Sequence, residues 1–315
     1  MNQFDTTLKD LRAAERESFQ LRVQNAFLEK ELRKSKPAAA TTPKIEPVPP
    51  PIIPVPGARL ARPVRANLGL RFLYQRSMLA LIEEMSAHIE GWAAAQYVET
   101  PPLVAADALP SVEIRKRFQE IAKRWLRRFD RQAPKIAEAY LEGQFKATDS
   151  AMRAALREAG ISVRMEITPA MRDALAASLS ENVALIKTIP QKYLQQVEGV
   201  ILRAYANGQN LKQMIARIQK IYPKTRERAV LIARDQSNKA NAVVVRARQM
   251  ELGITEALWI HSHGGKVPRP DHLAANGRRY KIADGCLISG EYIQPGEKIN
   301  CRCVSRSVLP DLQSA

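Results

Sequence analysis

Six side chains with ligand chemistry crowd into one end of the sequence. His261, His263, His272, Cys286, Cys301 and Cys303 comprise three of the four histidines and all three cysteines of the 315-residue chain. Thiolates with imidazole form the borderline-soft donor set that holds zinc in a tetrahedron. His272, Cys286, Cys301 and Cys303 would supply four ligands to one structural zinc. Cys301 and Cys303 are one residue apart, which differs from the paired C-x-x-C of common zinc modules. Two other arrangements use the same residues. The cysteines can pack as buried free thiols, or Cys286 can take part in a disulfide.

The same stretch raises a catalytic alternative. In "PDHLAANG", Asp271 precedes His272 and Asn276 follows. An acid, a histidine and an asparagine beside a metal resemble His-Asn-His nucleases, where the metal polarises a phosphate and histidine activates water. Against this, no histidine follows His272 and C-x-x-C pairs are missing. Pro270 and Gly277 also make Asp271 and Asn276 ordinary turn formers. No phosphate-cradling glycine loop and no Gly-x-Ser-x-Gly elbow occurs. The chain therefore reads as a non-enzyme, with a metal-dependent nuclease centred on Asp271 and His272 as the alternative.

The elements that must position these residues are mostly helical. Aromatic residues are only 6% of the sequence and apolar residues 45%, and the abundance of Ala, Leu and Ile favours helix over sheet. The expected fold is mainly α with a small C-terminal α+β lobe, and an N-terminal helix on a Pro-rich tether. Residues 1–36 place Phe4, Leu8 and Leu11 at helical spacing. Residues 37–64 are a linker: nine prolines between 37 and 63 remove backbone donors and fix φ, giving an extended tether. A helical body fills 65–204 and a further domain 205–310, whose lobe occupies 254–310.

Helices are predicted over 67–99, 111–147, 167–189, 189–208, 210–222 and 225–253. Thr168 caps one of them with Pro169 at its first position. Thr225 caps the last, and Gly253 stops it. After Gly253 the segments "ALWI", "RYKI" and "CVSRSVL" read as strands joined by turns. So small a lobe buries little apolar surface by itself. It needs the preceding helices or a metal to complete it.

Charge points to a polyanionic partner. There are 49 Lys and Arg against 32 Asp and Glu, a formal net charge of +17, more than solubility requires. Arg115, Lys116, Arg117, Lys123, Arg124, Arg127, Arg128 and Arg131 surround an apolar stripe on one helix and are candidates for phosphate contact. A solvated helix face is the alternative use of the same residues. No run of 18 apolar residues and no secretory leader pattern occurs, so neither membrane nor secretion is expected. Three cysteines in a chain this long fit synthesis in a reducing, intracellular setting.

One set of motifs is shared with a known family. A helix carrying Ile232, Ala233 and Arg234 ends at Gly253-Ile254. Trp259 then opens a strand, Val267, Arg269 and His272 follow, and Asn300, Cys301, Arg302 and Cys303 close the segment. This resembles the tailed-bacteriophage head morphogenesis family, the phage Mu F-like minor head proteins, over about residues 205–310. The chain departs from that pattern at Asp235-Gln236, where the family has Thr-Glu. It departs again at Gly264-Gly265, where the family has an acid, and at "QPGEKIN", which lacks the family's histidine. The resemblance implies a minor head protein of a tailed phage, with a structural or assembly role at the portal vertex or capsid interior. Implied partners are the portal protein, the major capsid or scaffold protein, and packaged double-stranded DNA. The implied location is the virion, with assembly in the host cytoplasm. Arg234, Trp259, Arg269, His272, Asn300, Cys301, Arg302 and Cys303 would hold the domain together or touch a partner. A basic DNA-binding protein unrelated to virions remains the other reading of the charge.

Overall fold

The computed structural model describes residues 59–99, 109–264 and 267–309. The N-terminal helix expected at 1–36, and the linker up to residue 58, lie outside the described residues. In chain order the elements are β1 (Arg59–Leu60), α1 (Leu68–Glu99), α2 (Leu109–Glu158), α3 (Pro169–Ala206), α4 (Leu211–Gln219), α5 (Ile221–Glu251), β2 (Glu256–Ile260), α6 (Pro270–Ala274), β3 (Arg279–Lys281), β4 (Cys286–Ile288), β5 (Glu291–Ile293) and β6 (Val304–Leu309). The architecture is mainly α with a small strand-containing C-terminal lobe, as the composition predicts.

Helices α1 to α5 form a bundle around one core. Met78, Ile82, Met85 and Ile89 of α1 meet Phe118 and Phe129 of α2 and Ile186 and Ile189 of α3. Two helices run further than local signals suggest. The break expected at Ile189-Pro190 is absent, because α3 is continuous and Pro190 is buried inside it. An interior proline costs about 3 kcal/mol or more. Burial of a single large apolar side chain returns about 1.5–3 kcal/mol, and Leu185, Ile186, Ile189 and Leu194 flank the proline in the core. Packing therefore outweighs the defect. The same holds in α2, which passes through Pro134 and reaches Glu158, beyond the expected end at 147. It stops in a Schellman turn: Gly160 takes φ +80°, and the Ile161 N–H donates to Leu156 O at 2.9 Å.

Capping matches expectation at two points and differs at a third. Thr168 accepts the Met171 N–H, and Gly253 adopts φ +67° just past α5. The Ile254 N–H reaches back to Gln249 O at 2.9 Å. Thr225 is not a cap. The helix already begins at Ile221, and Thr225 lies within it, its hydroxyl donating to Ile221 O.

A second core lies at the bundle's end. Met152, Ala155 and Leu156 of α2 and Val245 of α5 pack against Trp259, Tyr280, Ile282, Cys286 and Ile293. The main sheet runs β1-β6-β2-β3, antiparallel throughout, and β4-β5 forms a separate hairpin. The segment 59–64, expected in the linker, belongs to this lobe. Arg59 and Leu60 pair with Leu309 and Val308 at the sheet edge, and Ala61 and Val64 are buried. Asn241 of α5 donates to Val64 O at 3.0 Å, and Arg306 to Ala61 O at 3.0 Å. Proline ends the pairing where its missing donor would be needed, but the residues just after the proline run are free to join an edge.

Candidate functional site

The Asn-Cys-Arg-Cys segment explains itself in three dimensions. Asn300 sits at φ +59°, a left-handed position that Asn tolerates better than most residues. Its N–H donates to the buried Asp235 carboxylate on α5 at 2.5 Å. One residue earlier, Ile299 O accepts from Arg269 at 2.9 Å. The loop is thus clamped from two sides immediately before the cysteines. Their i, i+2 spacing turns both sulfurs to the same inner side, as in extended chain. Arg302 between them faces out and donates to Gly264 O.

His272 meets the two sulfurs from the opposite side. It stands on the short helix α6, which begins at Pro270, and is buried at 4% exposure. Its Nδ1 lies 3.5 Å from Cys301 Sγ and 3.7 Å from Cys303 Sγ. The three ligand atoms all fall within 4.8 Å of one another. The Trp259 ring meets the imidazole edge-on, with centroids 5.2 Å apart. Backbone N–H groups act on the sulfurs: that of Cys303 favours the thiolate of Cys301, and that of Ser262 the thiolate of Cys303. The fully buried Trp259 Nε1–H lacks a completed hydrogen bond, and the Cys303 sulfur is the acceptor it favours. The hydrogen bond from the Cys303 thiol pulls the Cys301 thiol well below its ordinary value. Burial opposes this and His272 adds to it. The same bond drives Cys303 up.

Cys286 stands apart from this group. It is buried on β4 beside Arg278 and Tyr280, and burial raises its thiol. All three cysteines are free thiols, so the structure forms no disulfide at Cys286. Of the four expected metal ligands, the structure gathers His272, Cys301 and Cys303 and leaves Cys286 outside. His261, absent from that set, is the buried imidazole nearby. Its backbone N–H donates to Asn276 Oδ1 at 2.8 Å, its Nδ1 accepts the His263 N–H at 3.2 Å, and burial lowers its ring, with His263 adding to that.

The residues of the nuclease alternative are spent on local structure. Asp271 accepts the His272 N–H at 2.8 Å with one oxygen and the Ser289 hydroxyl at 3.0 Å with the other. Asn276 holds the His261 backbone.

Asp235 is the residue that reading along the chain missed. It appeared only as a departure from a family pattern. Buried beside Lys239 at 3.3 Å, with Lys239 also 2.9 Å from Glu181, it ties α5 to the loop before the cysteines. Burial raises its carboxyl, against the opposing pull of Lys239 and the Asn300 N–H. Its neighbour Gln236 bonds Asn182 and Glu181 inside the bundle. Arg234, of the same motif, is half-buried. Burial lowers its guanidinium, and Arg302 and Arg71 add to that.

The eight candidate phosphate contacts divide in two. Arg115 pairs with Glu198, Arg117 with Glu113, Lys123 with Glu120 and Arg128 with Glu84. Lys116, Arg124, Arg127 and Arg131 are exposed, and no ion pair engages them among the described residues. At about 100° per residue these four fall within an arc of roughly 80° along about 22 Å of helix. They form one stripe.

Comparison with known proteins bears on the end of the chain. Residues 195–306 match the family described as phage Mu protein F like protein. The matched stretch begins within α3 and ends within β6, and so takes in α4, α5 and the lobe that holds His272, Cys301 and Cys303. The chain is also 33% identical over 149 residues to an uncharacterized protein of Haemophilus influenzae (strain ATCC 51907 / DSM 11121 / KW20 / Rd), covering 47% of this chain and 32% of that protein. The chain therefore spans about a third of that relative's length. No solved structure matches.

Proposed function

Because residues 195–306 form a phage Mu protein F-like region, we propose that this chain is a structural, head-related component of a tailed phage. It acts in assembly and is carried in the virion. The observation that carries the reading is the match itself, on a segment whose Asp235, Arg269, Asn300, Cys301 and Cys303 interlock as one unit. The finer reading is that the protein sits at the portal vertex or capsid interior. There it contacts the portal or other shell proteins through its N-terminal residues and packaged DNA through the bundle. No helix of the described residues is long and apolar enough to cross a membrane.

The DNA arm of this proposal rests on the unpaired stripe Lys116, Arg124, Arg127 and Arg131. A phosphate contact releases a counterion only if the cation is not already neutralised by a carboxylate. The four unpaired residues should therefore account for most of the salt dependence. Changing all four to Gln should lower the slope of log affinity against log salt by about 3–4 units. The same change at Arg115, Arg117, Lys123 and Arg128 should lower it far less. Equal effects from the two sets would remove the stripe as the DNA contact.

The broader reading is tested on particles. Mass spectrometry of purified virions from a phage carrying this gene should find the chain in low copy beside portal and major capsid protein. Deleting the gene should reduce yield or DNA content of heads. Particles that lack the chain and remain infectious would overturn the proposal.

A further inference from the structure

The geometry points to a zinc site built from His272 Nδ1 and the thiolates of Cys301 and Cys303. It lies within the phage Mu F-like region but does not depend on the virion role proposed above.

The distances fit one ion. Zinc bonds of about 2.3 Å to sulfur and about 2.0–2.1 Å to nitrogen set the edges of a tetrahedron. Its nitrogen–sulfur edge is then roughly 3.5 Å and its sulfur–sulfur edge roughly 3.8 Å. His272 Nδ1 stands 3.5 Å and 3.7 Å from the two sulfurs, matching the two nitrogen–sulfur edges, and the sulfurs lie within 4.8 Å of each other. Thiolate and imidazole together favour zinc over hard cations, which seek oxygen.

The surroundings are arranged for anionic sulfur. The backbone N–H of Cys303 favours the charged form of Cys301, and that of Ser262 favours the charged form of Cys303. The Trp259 N–H is fully buried and unpartnered. Such outer donors orient metal ligands and stabilise their charge. Two neighbouring buried thiolates repel each other without a cation between them, and a dication removes that repulsion while using every donor.

His261 stands near the set but outside it, since its ring is not among the ligand atoms that lie within 4.8 Å of one another. It is buried at 6% exposure, on the loop that also supplies the Ser262 donor, and burial lowers its ring, with His263 adding to that. Its Nδ1 is engaged by the His263 N–H at 3.2 Å. Cys286 takes no part. The ion would join α6 to the strand entry at 301–303, closing a lobe whose own apolar core is small.

The experiment uses the full chain, purified without chelator and supplied with zinc. Elemental analysis should give about one zinc per chain. Exchange for cobalt should produce the sulfur-to-cobalt charge transfer and visible ligand-field bands of a tetrahedral site. Cys286→Ser should keep the metal and the spectrum. His272→Ala and Cys303→Ser should lose both. Trp259→Phe should weaken zinc affinity about 10–100-fold. Because the ligand variants could lose metal by unfolding, helical circular dichroism is read alongside and should persist in the bundle. A folded, metal-free wild-type chain would overturn the site. So would a Cys301–Cys303 disulfide in freshly prepared protein, or loss of metal on Cys286→Ser. None of these results would touch the virion reading, which particle composition decides.

Discussion

In the helical bundle, Phe129, Ile82, Met85 and Ile186 are wholly buried against one another, and polar groups are accessory. In the C-terminal lobe the loop 299–303 is held by the Arg269 bond to Ile299, the Asp235 bond to Asn300 and the His272 contacts to both sulfurs. The bundle gains stability from area, which is tolerant of exact position. The lobe gains it from directional bonds, which fail when one partner is removed. A region that needs geometry at a few atoms is where a motif survives as specific residue types, and the Asn-Cys-Arg-Cys segment is such a region. Both regions share α5, whose Val245 and Asp235 serve the lobe while Ala229, Ile232 and Ala233 serve the bundle.

The contrast can be broken from either side. Phe129→Ala should cost about 3–5 kcal/mol, read as a lowered denaturation midpoint of the whole helical signal. A chain beginning at Leu68 instead of Arg59 should lose about 2–3 kcal/mol, since the burial of Val64 and Ala61 goes with the β1 pairing. The loss should appear as faster hydrogen exchange in β6, with α1 and α3 unchanged. A chain beginning at Arg59 should show no such loss. Asp235→Ala leaves the Asn300 N–H without its acceptor and should cost about 1–3 kcal/mol. Protection should fall at 299–303 and not in the bundle, and uniform loss would erase the distinction between the two regions. Thr168→Ala should cost about 1 kcal/mol, confined to the start of α3.

The smallest effect concerns pH. Burial lowers the Lys239 ammonium, but Asp235 and Glu181 outweigh it and hold the group above its ordinary value. A raised folded-state value means its contribution is complete below the usual lysine range and is lost as pH rises through the raised value. Lys239→Met should therefore flatten the alkaline limb of the stability profile. An unchanged limb would show that other groups set it.

Along the chain, some of this was legible because the cause is local. Thr168 followed by Pro169 starts a helix by satisfying donors within one turn, and Gly253 stops one because a left-handed residue is needed there. The strands at 256–260, 279–281 and 304–309 announce themselves through short apolar runs between turn formers. The crowding of histidine and cysteine marked the site, and His272, Cys301 and Cys303 do meet.

The sequence by itself determined the helical bundle, the lobe's existence and the residue types of its centre, because periodicity, caps and turns act between near neighbours. The tertiary structure decided what depends on partners far along the chain. Core packing carried α3 through Pro190. An edge of β6 drew in Arg59 and Leu60. Glutamates from other helices engaged Arg115 and Arg128. Asp235 found the Asn300 N–H across 65 residues, and Cys286 was placed on a strand outside the group that His272, Cys301 and Cys303 form. Each of these is a contact between segments whose separation in sequence carries no trace of their distance in space.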